Sequence, residues 1–297
     1  TMSAALQSAF SIEPLNSGIV ISVLTLVIIF GGVHRIAAIS SVIVPVMAVG
    51  YIALALFVVL ANIDRIPAVV EQIVGNAFGW HQAVGGGIGT ALMQGIKRGL
   101  FSNEAGMGSA PNAAATAHVT HPAKQGFIQA LGVFTDTLLI CSCTAFIILF
   151  GEDYVGSGLD GIQLTQAALT SEVGNIGGIY VAIATLFFAY SSILGNYYYG
   201  EANIRFFTSR QWPVVLYRML VGGMVLFGSL ASLNLVWNLA DVTMALMSIC
   251  NLIAIFLLGK YAFRLLDDYL AQKRTGIKSP VFHKEQMKDI EQDLECW

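Results

Sequence analysis

Charge is what this sequence has least of. Only 11% of its 297 residues are Asp, Glu, Lys or Arg, against roughly a quarter in an ordinary soluble domain. A soluble chain this poor in charge would lack the polar surface to face water. Hydrophobic residues make up 56% and the mean hydropathy is +0.72, so the bilayer is the solvent that fits. The formal net charge of −3 comes with no basic stripe interleaved with aromatics, which argues against a nucleic-acid partner. Cysteine is scarce as well, with four in all: Cys141, Cys143, Cys250 and Cys296. No second Cys/His pair completes Cys141-x-Cys143 as a metal site, so these thiols read as small residues in helix packing. There is no Walker motif, no HExxH and no Ser/His/Asp set. An ATP-driven pump, an intramembrane protease and enzymes in general are therefore not expected. The start, Thr1-Met2-Ser3-Ala4, has no basic region leading into an apolar stretch with a cleavage site, so it is not a signal peptide. It reads like a membrane protein entered between two spans, and an N-terminal truncation is expected.

What is present is a series of apolar runs. A spanning helix needs about 20 mostly apolar residues. Seven segments qualify or nearly do: 18–32, 37–60, 83–118, 126–150, 178–199, 214–233 and 236–258. The first is a little short, and Pro45 lies inside the second. Residues 66–80 predict an amphipathic surface helix with Pro67 in its first turn, because Val69, Val70, Ile73 and Phe78 alternate with Glu71, Gln72 and Asn76,. Lys and Arg mark cytoplasmic loops. None occurs between Gln125 and Ile204, and the loop after the fourth segment carries Glu152, Asp153, Asp160 and Glu172, so it belongs outside. Arg205, Arg210 and Arg218 place the next loop inside, as Lys260, Arg264, Lys273 and Arg274 do for the tail. The expectation is a multi-pass protein of the plasma membrane, in a bacterium the inner membrane, with a transporter domain over 1–260 and a solvated cytoplasmic tail over 261–297.

The third segment violates the rule for a good span. It must cross to keep the charge alternation, yet 83–118 is 36 residues long and carries Lys97, Arg98 and Glu104 near its middle. A straight helix of that length would reach about 54 Å, well beyond a hydrocarbon core of about 30 Å. Gly99, Gly106 and Gly108 weaken it, and Pro111 removes a backbone donor,. Irregular backbone survives at membrane depth only where protein or a water-filled cavity receives it. The physics predicts a broken helix, unwound near residues 102–108, with two short helices flanking it. Helix ends at such a break can hold a carboxylate through N–H groups and a cation through carbonyls. That suits an amino-acid zwitterion travelling with Na+. A re-entrant loop or two packed half-helices with a structural role is the competing reading. Lys97 and Arg98 are expected to snorkel or to pair with Glu104.

The run Lys97-Arg98-Gly99-Leu100-Phe101-Ser102-Asn103-Glu104-Ala105-Gly106-Met107-Gly108-Ser109-Ala110-Pro111 resembles the signature of the alanine or glycine:cation symporters, the sodium:alanine symporter family. Thr135-Asp136-Thr137, Cys141-Ser142-Cys143-Thr144, Val44-Pro45-Val46-Met47-Ala48 and Tyr190-Ser191-Ser192-Ile193-Leu194-Gly195 resemble that family too. The resemblance implies an all-α polytopic membrane protein of the LeuT-type inverted-repeat fold, with about seven spans present, one of them discontinuous. The third segment would be the broken first helix of the second repeat, and the first four spans of the family would be absent. The implied activity is symport of a small neutral amino acid, alanine or glycine, with Na+ (or H+) by a monomeric carrier in the lipid bilayer. The implied substrate residues are Phe101, Asn103, Glu104, Gly106, Met107 and Gly108. Ser191 and Ser192 are either helix–helix glue or, as the resemblance implies, hydroxyl ligands of Na+. Asp136, with Thr137, either takes part in coupling or belongs to a structural network. It could pair with a base of the broken helix or accept bonds from Thr135 and Thr137. Glu201 should pair with Arg205, and Asn234, Asn238, Asp241 and Asn251 read as caps and packing bonds. The alternatives are an ion channel or passive pore with a re-entrant broken helix, or an inactive fragment of the carrier.

Overall fold

Apolar runs uninterrupted by charge become long helices. The computed structural model describes residues 1–31, 33–77, 87–151, 157–287 and 289; among them there is no strand. The helices are α1 (Met2–Phe10), α2 (Pro14–Phe30), α3 (Val33–Ala61), α4 (Ile66–Ala77), α5 (Gly87–Asn103), α6 (Ala110–Ala114), α7 (Pro122–Thr135), α8 (Ser142–Phe150), α9 (Gly161–Val173), α10 (Asn175–Phe207), α11 (Gln211–Leu230) and α12 (Leu233–Arg274). A π-helical turn, Asp136–Cys141, joins α7 to α8. Among the described residues, five helical stretches are long and apolar enough to cross a membrane: Val44–Ala61, Pro122–Phe150, α10, α11 and α12. The first expected span, α2, is apolar but only 17 residues long. Large apolar side chains such as Val46, Leu138 and Phe256 stand exposed on these helices, where lipid tails would cover them. Part of the expected surface helix is present as α4, with Val69 buried; Phe78 lies outside the described residues.

The chain forms two compact units. The first comprises Thr1–Gly99 and Thr137–Asp241. Its core joins Tyr51, Ala55 and Val58 of α3, Ile147 and Phe150 of α8, Leu169 of α9 and Val181 of α10. Small residues let its helices approach. A Cβ on Gly18 would stand 2.7 Å from Ser229, and one on Gly222 would stand 2.8 Å from Leu26. Ser22 then donates to the Gly222 carbonyl at 2.8 Å. Without a hydrophobic force between helices in lipid, such close contact is a main source of their association.

α9 lies in the stretch that the charge pattern assigns to a loop. It buries Thr165, Gln166, Ala168 and Leu169, which is one helical face. Two of the four are polar, so no apolar stripe marks it in the sequence. Gln166 donates to the carbonyls of Ala5 and Gly178, both at 3.3 Å.

The second unit comprises Leu100–Asp136 and the described residues from Val242 on. His121 is fully buried, its Nδ1 accepting from the Ala123 N–H at 3.1 Å and its Nε2 lying 3.0 Å from Asp268 Oδ2. The accepted bond leaves Nδ1 bare, so Nε2 carries the proton and donates. The residues after α12, expected to be solvated throughout, partly fold back. The Phe282 N–H donates to the Thr120 carbonyl at 3.0 Å, and Phe282 and Met287 are buried. The Gln272 amide both donates to and accepts from the Val281 backbone at 2.9 Å. Arg264 bonds Asp289 at 2.8 and 2.9 Å and holds its carboxyl below the ordinary carboxylate range.

Candidate functional site

The break in the third segment is present. α5 ends at Asn103, and α6, with Pro111 in its first turn, begins at Ala110. The helix thus persists through Ser102 and Asn103, and the irregular stretch runs from Glu104 to Ser109. Three alternate residues here are left-handed: Glu104 (φ 49°), Gly106 (φ 78°) and Gly108 (φ 90°). Glycine adopts this freely, whereas for Glu104 it costs about 1 kcal/mol or more. Local bonds hold it. Ser109 Oγ donates to Glu104 Oε2 at 2.5 Å, and Asn112 Nδ2 donates to the carbonyls of Gly108 and Ser109 at 3.0 and 3.3 Å. Met107 and Ser109 are buried and anchor the turn, while Phe101 is exposed. Asn251 Nδ2, from α12, donates to the Gly106 carbonyl at 2.9 Å.

Alternating handedness of this kind turns successive N–H groups toward one side, the arrangement of an anion-holding concavity. Among the described residues, the N–H groups of Ala105, Gly106 and Gly108 donate to no protein acceptor. α6 is only five residues long, too short to give the expected second flanking helix a strong dipole.

Asp136 starts the π-helical turn and accepts a hydrogen bond from Ser102 Oγ. A hydroxyl of the broken segment is thus one of its partners. Thr135 Oγ1 donates to its own helix at Leu131, and the Thr137 carbonyl accepts from Ser142 Oγ at 3.2 Å. Ser102, the signature residues Asn103, Glu104, Gly106, Met107 and Gly108, and Asp136 and Asn251 all belong to the second unit.

Lys97 and Arg98 do not pair with Glu104. Both contact Asp241, Lys97 Nζ at 3.5 Å and Arg98 Nη2 at 3.2 Å. Glu104 lies past the end of α5, where helical spacing no longer aligns it with the bases. The Arg98 guanidinium lies 4.1 Å from the centre of the Trp237 ring, whose π face attracts it. Asp241, read from the sequence as a cap, is thus the acceptor of both cations.

Ser191 and Ser192 lie in the first unit and both donate to the Phe188 carbonyl, at 2.8 and 3.1 Å. Each hydroxyl keeps lone pairs for another partner. Further along α10, Glu201 is buried and binds Arg205 as expected, at 2.7 Å, but also Arg218 at 3.2 Å. Arg218 additionally donates to Tyr197 Oη at 2.9 Å. The reading from sequence missed the roles of Ser102, Ser109 and Arg218. Asn251 carried one signal, a carboxamide inside an apolar run, which a packing role explains equally well.

Comparison with known proteins adds an independent line. Residues 1–284 match the sequence model of the sodium:alanine symporter family. The chain is similar to the probable sodium/glutamine symporter GlnT of Bacillus subtilis strain 168, with 53% identity over 297 residues, covering 100% of this chain and 62% of the relative. It is similar to the amino-acid carrier protein AlsT of the same strain, with 51% identity over 298 residues, 100% of this chain and 63% of the relative. The sodium/alanine symporter AgcS of Methanococcus maripaludis is 39% identical over 258 residues, 86% of this chain and 56% of the relative. The chain spans roughly three fifths of the length of these curated relatives. Signature, broken helix and sequence match agree: the chain belongs to the sodium:alanine symporter family, whose members are transporters and not enzymes.

Proposed function

We propose that the protein serves a secondary active symporter that moves a small neutral amino acid, alanine or glycine, with Na+ (or H+) across the plasma membrane. The scaffold in this reading is the LeuT-type inverted repeat, a monomeric carrier with its C-terminal tail in the cytoplasm. The observation that carries it is the left-handed alternation at Glu104, Gly106 and Gly108. N–H groups with no acceptor among the described residues, within a stretch that a span would otherwise keep helical, are costly unless a ligand or water receives them. The α-carboxylate of an amino acid fits that need. Asn103 and Phe101, at the end of α5, would border the amino acid, and Met107 would anchor the turn beneath it.

Two sets of hard oxygens are the candidates for Na+. One is the Asp136 carboxylate with the Ser102 hydroxyl. The other is the Ser191 and Ser192 hydroxyls, whose protons are spent on the Phe188 carbonyl and whose lone pairs remain. Thr137, beside Asp136, belongs to the coupling network in this reading. Rocking of one helix bundle against another would give alternating access. The relatives' names divide between glutamine and alanine, so the substrate is settled by uptake.

The test uses the full-length carrier in proteoliposomes. A Na+ gradient should drive saturable uptake of labelled alanine or glycine, and excess unlabelled substrate should suppress it. Gly106→Leu and Asn103→Ala should abolish uptake while the protein stays in the membrane. Uptake that ignores both the gradient and the unlabelled amino acid would refute symport.

A further inference from the structure

We propose that Asn251 is a positioning residue of the transport site, holding the unwound turn in the shape that receives the amino acid. The proposal rests on the symport reading above.

Asn251 sits in an apolar stretch of α12, where a carboxamide needs partners. It finds them on the turn. Its Nδ2 donates to the Gly106 carbonyl at 2.9 Å. That carbonyl can only accept, so the NH2 branch must face it, and the orientation of the amide is fixed. The rest of the side chain takes the place of any side chain at residue 108. A Cβ on Gly108 would lie 3.0 Å from Asn251 Cβ and Cγ and 3.2 Å from Oδ1. Leu252, the next residue, lies 3.8 Å from where a Cβ on Gly106 would stand.

One carboxamide therefore fixes two of the three left-handed residues, Gly106 by a hydrogen bond and Gly108 by close packing. The bond also sets the peptide plane between Gly106 and Met107. With its carbonyl turned toward α12, the Met107 N–H is directed to the Glu104 carbonyl at 3.2 Å. Glycines left without these contacts regain wide backbone freedom, and the left-handed conformations at Gly106 and Gly108 would no longer be held. Asn251 acts on affinity through this backbone, not by touching the amino acid.

The experiment compares the full-length wild type, Asn251→Ala and Asn251→Asp in proteoliposomes, measuring Na+-driven uptake against alanine concentration. Asn251→Ala removes a hydrogen bond worth about 1 kcal/mol, so KM should rise about fivefold to tenfold. Vmax and the Na+ concentration for half-maximal uptake should stay within about twofold, because neither the chemistry of the ion nor the amount of folded carrier changes. Asn251→Asp places a carboxylate against a carbonyl oxygen, so its KM should exceed that of Asn251→Ala near neutral pH. As pH falls, the protonated acid can donate where the NH2 group did, and the ratio of its KM to wild type should shrink. Asn251→Ala should show no such recovery, and if it does not fold, the pH profile of Asn251→Asp decides. A wild type that transports alanine while Asn251→Ala keeps a wild-type KM, losing only Vmax or thermal stability, overturns the positioning role alone. A wild type that transports no amino acid with Na+ overturns the symport reading first.

Discussion

Glu201 shows what one charge costs in a protein this apolar. The residue is 2% exposed, and its carboxylate is matched by Arg205, Arg218 and, through Arg218, the Tyr197 hydroxyl. Breaking a buried pair by removing one partner typically costs about 3–5 kcal/mol, because the other charge stays behind. Glu201→Gln keeps the size and removes the charge. It should cost about 3 kcal/mol, the low end of that range, since Arg205 reaches solvent. The check is a lowered thermal midpoint of the solubilised protein, with Arg205→Ala lowering it less. Glu104 poses a different problem. Its strain lies in the backbone, and the Ser109 hydroxyl is what holds the side chain in place.

Among the elements, the π-helical turn at Asp136–Cys141 has the sharpest consequence. A wide turn holds one residue more than an α-turn. Deleting Leu139 should therefore close it to regular helix and leave the residues on either side in register. Deleting Cys143, in the regular helix beyond it, turns the rest of α8 by about 100°, so that Ile147 and Phe150, both fully buried, leave the core of the first unit. The Cys143 deletion should give a carrier that reaches the membrane poorly and loses uptake, read by expression and transport together, and the Leu139 deletion should reach the membrane at close to the wild-type level. The long helices were legible in the sequence because a run of apolar residues free of charge needs no partner to be recognised. The break was legible for the opposite reason, since two glycines and a proline within six residues, next to Asn103 and Glu104, disfavour a straight apolar span,. α9 was not, because half of its buried face is Thr165 and Gln166. The partners of Lys97, Arg98 and Asp136 were not either, because contacts over 34 to 144 residues of sequence depend on how helices pack.

Among the described residues, large apolar side chains stand exposed along the long helices, and polar contacts gather at a few places. The residues after α12 are one such place, fastened to the α6–α7 turn by the Phe282 backbone and to α12 by Gln272. Burial of a phenylalanine is worth roughly 1.5–3 kcal/mol, so Phe282→Ala should free this stretch. Protease cleavage after Lys278 in native vesicles should become several-fold faster, and an unchanged rate would mean that the fastening is weak. α12 itself is 42 residues long, about 63 Å, while the hydrocarbon layer is only about 30 Å thick. Its polar end, from Lys260 to Arg274, therefore projects about 20 Å beyond the last apolar turns as a stiff rod. Such a rod works as a pointer: a tilt of about 10° within the bilayer displaces its tip by several ångströms in water, where a fluorophore can report motion that the lipid conceals.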